Sequence, residues 1–265
     1  MRRRLDVEMV RRGLVSSRNE AQAAISAGLV TVGGAPAEKP SARVSPDEAV
    51  AVLKKGRRFV SRGGDKLEAA LDAFGVDASG ADCLDVGAST GGFTDCLLKR
   101  GAARVAALDV GYGQLAWSLR QDPRVIVLER TNVRELAAGM LPLSPKIVAV
   151  DVSFISLRIA VPPLSRVVVD GATFLLLVKP QFEAGREAVG RGGVVRDEAV
   201  WGSAIEAAAS VCSEHALGPQ GAIVSPVRGP AGNVEFFLHA VRGAPAGELD
   251  VESLVHEGRR LLGAA

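Results

Sequence analysis

Beyond residue 82 the chain alternates between short unbroken apolar runs and helical stretches. Runs at residues 83–86, 105–109, 125–129, 147–152 and 174–178 have the continuous apolar character of strands covered on both faces. They predict a parallel sheet, whose ligands bind beyond the carboxyl ends of the strands. Residues 221–227 and 235–241 read as two more strands joined by the tight turn Arg228-Gly229-Pro230-Ala231-Gly232, so the last runs antiparallel. A helix is expected over about 65–74, with Leu67, Ala70 and Leu71 on an apolar face and Lys66 on another.

The first part of the chain follows a different pattern. Leu5, Met9 and Val10 recur at helical spacing up to a stop at Gly13. Ser17 can cap a second helix, with Glu20 completing a capping box and Ala21, Ala24 and Ile25 forming a stripe that ends at Gly28. Residues 29–32 then read as a strand entering Gly33-Gly34, and 50–53 as a closing strand. The result is a compact α+β unit over 1–56. A basic, glycine-bearing segment short of core residues, 57–64, reads as a linker to the larger unit over 65–265.

Composition places the chain among globular proteins, with 48% hydrophobic and 23% charged residues. No apolar run reaches bilayer length; Thr173-Phe174-Leu175-Leu176-Leu177-Val178 stops at Lys179. Met1-Arg2-Arg3-Arg4 lacks the apolar core of a signal peptide, so a cytoplasmic protein without a membrane partner is expected. Cys83, Cys96 and Cys212 show no C-x-x-C spacing, which predicts buried reduced thiols and neither a disulfide framework nor a metal site. Charge is unevenly spread. Residues 1–60 hold 12 Lys/Arg and 6 Asp/Glu, leaving 20 and 24 of the totals of 32 and 30 for the remainder. Such a basic end suits an anionic polymer. Arg3, Arg4, Arg11, Arg12 and Arg18 lie on or beside the two helices, and Arg57, Arg58 and Arg62 in the linker. An ordinary solvated charged face accounts for most such arginine clusters.

The segment Cys83-Leu84-Asp85-Val86-Gly87-Ala88-Ser89-Thr90-Gly91-Gly92-Phe93-Thr94 carries the clearest chemistry. Its glycines sit at a strand-to-helix turn, where a ligand can approach backbone N–H groups closely. A carboxylate at Asp85 would repel a pyrophosphate but suits a cationic amino group, as S-adenosylmethionine carries. The glycine spacing also misses the dinucleotide fingerprint, which argues against a nicotinamide-dependent dehydrogenase. Asp109 closes the second strand, where an acid can bond both ribose hydroxyls, and Asn132 follows the third, within reach of an adenine edge. The expected cofactor residues are Asp85, Gly87, Ser89, Thr90, Gly91, Gly92, Phe93, Asp109, Asn132 and Asp151. Three further polar residues, Asp151, Lys179 and Glu235, stand where strands end or begin. A surface salt bridge is the plainer reading of each taken singly. Lys179, directly after Leu-Leu-Leu-Val, sits at a strand mouth and not on an open face.

Two resemblances sharpen these readings. Residues 13–34, with Leu14-Val15-Ser16-Ser17-Arg18-Asn19-Glu20-Ala21 and Ile25-Ser26-Ala27-Gly28-Leu29-Val30-Thr31-Val32-Gly33-Gly34, resemble the S4 RNA-binding domain, G-L-x-x-S-R-x-x-A-x-x-x-I-x-x-G-x-V-x-V-[ND]-G. Gly33 stands where that family has Asn or Asp. The resemblance implies that the arginines grip RNA phosphates. The set Lys66, Asp151, Lys179, Glu235 resembles the K-D-K-E tetrad of ribose 2′-O-methyltransferases of the FtsJ/RrmJ type. The whole chain resembles the TlyA family through Ser61-Arg62-Gly63-Gly64-Asp65-Lys66-Leu67, the glycine segment, Asp109-Val110-Gly111-Tyr112-Gly113-Gln114-Leu115, Asp151-Val152-Ser153-Phe154-Ile155-Ser156-Leu157 and Leu177-Val178-Lys179-Pro180-Gln181-Phe182-Glu183.

These resemblances imply an α/β chain: a Rossmann-like class I methyltransferase with a mostly parallel seven-stranded sheet whose last strand is antiparallel, preceded by a small S4-like α+β domain. They imply S-adenosylmethionine as cofactor, cytidine 2′-O-methylation of 16S and/or 23S ribosomal RNA in 30S and/or 50S subunits, and a monomer with no obligate protein partner. Lys179 is expected at the centre, positioned by Asp151 and Glu235, with Lys66 a second charge near the target. Residues 181–193, rich in glycine and charge, either close over RNA or form a merely disordered loop. Two other readings compete: a non-catalytic ribosome-assembly factor, against which the full tetrad argues, and a haemolysin-like membrane-active protein, for which the sequence offers no span.

Overall fold

The computed structural model describes residues 2–26, 28–52 and 58–263. Residues 53–57, including Leu53 of the expected closing strand and Arg57 of the expected linker, lie outside them. Contacts divide the chain into two units, Met1–Arg57 and Arg58–Ala265.

In the first unit strand β1 (Arg3–Arg4) leads into helix α1 (Leu5–Arg11), and α2 (Arg18–Ser26) follows. Short strands β2 (Val30–Val32), β3 (Ala35–Pro36), β4 (Arg43–Val44) and β5 (Val50–Val52) complete it, with β2 between β3 and β5 and β1 paired to β4. Leu5, Met9, Ala21, Ile25, Val30 and Val44 form its core. Ser17 Oγ accepts from Glu20 N–H at 3.2 Å, as the capping pattern requires. The reciprocal arm lands one residue early: the Glu20 carboxylate accepts from Ser16 N–H at 2.7 Å.

The second unit begins with α3 (Gly63–Phe74) and then alternates β6 (Asp82–Val86), α4 (Gly92–Lys99), β7 (Arg104–Leu108), α5 (Trp117–Arg120), β8 (Val125–Leu128), β9 (Ile147–Val150), α6 (Leu157–Arg166), β10 (Thr173–Val178), α7 (Pro180–Glu183), α8 (Glu198–Glu214), β11 (Leu217–Val224), β12 (Phe236–Arg242) and α9 (Val251–Gly263). The seven strands lie in the order β11-β12-β10-β9-β6-β7-β8, and β12 is antiparallel to both its neighbours. Strand alternation sorts the core into two layers. Leu84, Val148, Leu176 and Leu238 face one cluster, built with α6 and α8; Cys83, Ala149, Leu177 and Phe237 face the other, built with α3 and α4. Strands β6 and β9 are parallel neighbours at which the order of strand addition switches from one side of the sheet to the other, and the crevice at their carboxyl ends is where an open α/β sheet binds ligands.

Three differences from the sequence reading have clear causes. The second and fourth strands end at Leu108 and Val150, so Asp109 and Asp151 have left the strands to face the crevice. Strand β11 starts at Leu217, earlier than expected, because Gly218 and Pro219 break the apolar pattern while a bulge accommodates them. The later half of the expected linker is core: the Phe59 ring is buried, and a Cβ on Gly64 would lie 2.2 Å from it. That glycine lets the turn before α3 close over an aromatic ring.

Candidate active site

Four residues from distant parts of the second unit converge on one cavity of about 280 Å³. Lys66 comes from the first turn of α3, Asp151 from the end of β9, Lys179 from the end of β10 and Glu235 from the residue before β12. The antiparallel course of β12 is what brings Glu235 here, since its first residue, Phe236, pairs with the last of β10, Val178. The arrangement differs from the expected one in its pairing. Glu235, 1% exposed, binds Lys66 and not Lys179. Lys179 Nζ lies 2.5 Å from Asp151 Oδ1 and donates to Ser153 Oγ at 2.9 Å. Each lysine therefore has its own carboxylate. Removing one partner of such a buried pair typically costs about 3–5 kcal/mol, because the other charge is stranded.

A second cavity of about 530 Å³ adjoins the first; Gly87, Ser89, Asp151 and Ser153 line both. Asp85, fully buried, lines the first cavity. Its Oδ2 accepts from Thr94 N–H at 2.8 Å and Thr94 Oγ at 2.6 Å, while Oδ1 is buried without a partner. Burial pushes its pKa up to about 7 against the pull of Thr94, with Asp151 and Asp109 adding to the rise. Asp109 and Asn132 line the second cavity. Asp109 accepts from the N–H groups of Ser89 (2.7 Å) and Gly111 (2.6 Å), which shapes the loop around it. Asn132 also caps a short helical turn through Arg134 N–H at 3.1 Å.

The glycines divide by job. At Gly87, with φ +85°, a Cβ would meet Asp151 O at 2.4 Å, so its absence lets the ends of β6 and β9 touch. At Gly91 a Cβ would strike Leu119, and at Gly92 Ser61, so these two glycines serve packing of the chain on itself. Phe93 is 3% exposed and stacks with Phe237, ring centroids 6.0 Å apart, chiefly as a core residue. Ser89 and Thr90 line the first cavity, as does Arg62, while Arg58 is paired with Glu68.

In the first unit the arginines are organised by two fully buried carboxylates. Arg4 binds Asp6 through Nε (3.1 Å) and Nη2 (3.0 Å), and Arg18 through Nη2 (3.0 Å). Arg11 binds Glu8 through Nε (2.8 Å) and Nη2 (2.6 Å), and Arg3 lies 4.0 Å from it. Arg12 has a different job from the expected one. It donates to Glu8 and to the carbonyls of Glu48, Ser45 and Pro46, a brace between α1 and the loop before β5.

Comparison with known proteins agrees with this architecture. Residues 59–242 match the model of FtsJ-like methyltransferases, and residues 3–50 match the S4 domain. Over 238 residues, 89% of each chain, the sequence is 50% identical to the 16S/23S rRNA (cytidine-2′-O)-methyltransferase TlyA of Mycobacterium tuberculosis. The chain belongs to the TlyA family of FtsJ-like methyltransferases. Family members carry two kinds of name. A Brachyspira hyodysenteriae relative, 37% identical over 90% of this chain and 99% of its own, is named Hemolysin A. A solved structure from Streptococcus thermophilus, also described as a hemolysin, is 36% identical, covers 99% of this chain and 98% of its own, and superposes with a TM-score of 0.75. Among the described residues, no helix here is long and apolar enough to cross a membrane.

Some site residues escaped the sequence reading. Ser153, the second partner of Lys179, follows Asp151 by two positions and carries no signal beyond that proximity. Phe154 is 88% exposed at φ +67° and packs at a tilt against Phe182, centroids 5.2 Å apart and ring planes at 49°. An aromatic residue three positions after the acidic strand end was the available clue. The segment after Lys179 begins with α7, and Glu183 accepts from Ser156 Oγ (2.5 Å) and Leu157 N–H (2.8 Å), capping α6.

Proposed function

We propose that the second unit methylates the ribose 2′-hydroxyl of a cytidine in ribosomal RNA, with S-adenosylmethionine as donor, while the first unit holds that RNA. The division of labour follows the two units, 1–57 for RNA and 58–265 for catalysis, so the expected linker 57–64 belongs mostly to the catalytic unit. One observation carries the reading: two lysine–carboxylate pairs, Lys66 with Glu235 and Lys179 with Asp151, meet in one cavity beside the glycine turn.

The residues present fit the cofactor. Asp85 Oδ1 offers a buried acceptor with no protein partner, suited to a cationic amino group, and Asp109 and Asn132 stand where a nucleoside would be read. Asp85, Gly87, Ser89 and Asp109 would hold it, and it supplies a methyl group already activated on a sulfonium. The protein's own task is alignment and the handling of one proton. Lys179 Nζ, fixed by Asp151 and Ser153, donates toward the 2′-oxygen and stabilises negative charge there. Asp151, which lines both cavities, receives the hydroxyl proton as it becomes acidic. Lys66, immobilised by Glu235, holds a second positive charge at the cavity wall. The exposed Phe154 ring offers a face for the target base.

Lys179→Ala is expected to lower single-turnover methyl transfer by about 10²–10³-fold, the range for loss of one preorganised donor. Calorimetric affinity for S-adenosylmethionine should stay unchanged. Wild-type turnover in this variant would refute the assignment of Lys179.

A further inference from the structure

The buried carboxylates Asp6 and Glu8 have no place in the chemistry, and their surroundings are unusual. Both are 0% exposed, yet every arginine they bind except Arg12 keeps about half of its side chain in solvent: Arg3 56%, Arg4 45%, Arg11 50% and Arg18 57%. Arg4 and Arg11 each commit Nε and one Nη to a carboxylate, which leaves the other edge of the guanidinium free. Arg18 commits a single Nη2. Asp6 is further fixed by Gln22 Nε2 at 3.3 Å and Val7 N–H at 2.9 Å. The arginine bonds, led by that of Arg4, hold the Asp6 carboxyl well below the usual range; those of Arg11 and then Arg12 lower Glu8 to about 2.

We infer that Asp6 and Glu8 are positioning residues for RNA, holding Arg3, Arg4, Arg11 and Arg18 as a fixed array of guanidinium edges that matches a particular arrangement of phosphates. The inference rests on the reading of the first unit as RNA-binding and adds its mechanism. A free arginine loses rotamer entropy on binding a phosphate; one already clamped along its inner edge loses less per bond formed. Two negative charges beneath the arginines weaken the local field but sharpen its geometry. Recognition through the array therefore depends on where the charges are, and not on how many there are.

Charge count and geometry make opposite predictions for Asp6→Asn. The variant gains one unit of positive charge, which by attraction alone tightens binding to any polyanion. Loss of the clamp predicts weaker binding. The test measures binding of the full-length chain to purified, unmethylated 30S and 50S subunits across a salt series. Arg18→Ala should weaken binding by about fivefold or more; unchanged affinity would overturn the RNA reading itself. Asp6→Asn should weaken it by about 5–10-fold, raising the KM for subunits without changing kcat. Arg4→Lys keeps the charge but lacks the two-pronged fork, and should weaken binding about threefold or more with the salt dependence unchanged. Should Asp6→Asn melt the first unit in a thermal scan, Arg4→Lys decides. If Arg18→Ala weakens binding while a folded Asp6→Asn binds as tightly as wild type or tighter, or Arg4→Lys matches wild type, the array is refuted and the RNA reading survives.

Discussion

At the scale of single residues, the site depends on groups whose partners decide their state. Asp85 is the clearest case. Its carboxyl, raised by burial to about 7, keeps in the native chain a proton that the unfolded chain loses near the ordinary carboxylate range. Between roughly pH 4 and 7 the native state thus binds more protons, and the contribution of Asp85 to stability falls as pH rises through that window. A cationic ligand at Oδ1 favours the ionised form, so binding near pH 7 releases a proton. The enthalpy of S-adenosylmethionine binding at pH 7 should therefore differ between phosphate and Tris by about half the difference in their ionisation enthalpies, since a group with a pKa of about 7 is half protonated there. Asp85→Asn should abolish that difference and weaken binding by about 10–100-fold. Equal enthalpies in the two buffers with the wild-type chain would contradict the account. The candidate residues were legible in the sequence because polar side chains directly after apolar runs mark strand mouths. Their pairing was not, since nothing local tells whether Glu235 meets Lys66 or Lys179 across the crevice. Asp6 and Glu8 were illegible for a related reason: both look like ordinary helix-surface acids until the arginines that cover them are in place.

At the scale of elements, the sheet was legible and its joints only partly so. Continuous apolar runs identify the parallel strands, and the reversal at Arg228-Gly229-Pro230-Ala231-Gly232 identifies the antiparallel one. Glycine at a strand-to-helix turn marks close approach without saying to what. Gly87 meets the backbone of Asp151, whereas Gly91 and Gly92 make room for side chains and a helix start. Gly87→Ala should push the ends of β6 and β9 apart, abolishing transfer and lowering the melting temperature; Gly113→Ala is the control. Gly113 has a similar φ, +72°, but nothing within 4 Å of a Cβ, so only backbone strain of about 1–2 kcal/mol opposes the change. Melting curves and methyl transfer on the two variants check this, and equal behaviour would show that the contact with Asp151 is unimportant. The segment after Lys179 read as disorder or lid because glycine and charge dominate its composition. The tertiary role of Glu183, capping α6, carries no compositional signal.

At the scale of the whole molecule, the division of charge follows the division of structure. Basic residues outnumber acidic ones in 1–60 and fall short of them in the remainder, so polyanion attraction is concentrated in the unit that resembles, and matches, the S4 domain. The catalytic unit has no comparable basic excess and relies on a few placed charges. The central claim is the identity of the reacting atom, a ribose 2′-oxygen, and alkaline hydrolysis reads it directly. Purified, unmethylated 30S and 50S subunits would be incubated with tritiated S-adenosylmethionine and either the wild-type chain or Lys179→Ala, and the RNA digested with alkali. A 2′-O-methyl group removes the hydroxyl that cleaves the adjoining phosphodiester. The account predicts label in alkali-resistant dinucleotides beginning with cytidine, formed about 10²–10³-fold more slowly by the variant; label in alkali-sensitive mononucleotides, or no label in either subunit with the wild-type chain, would contradict it.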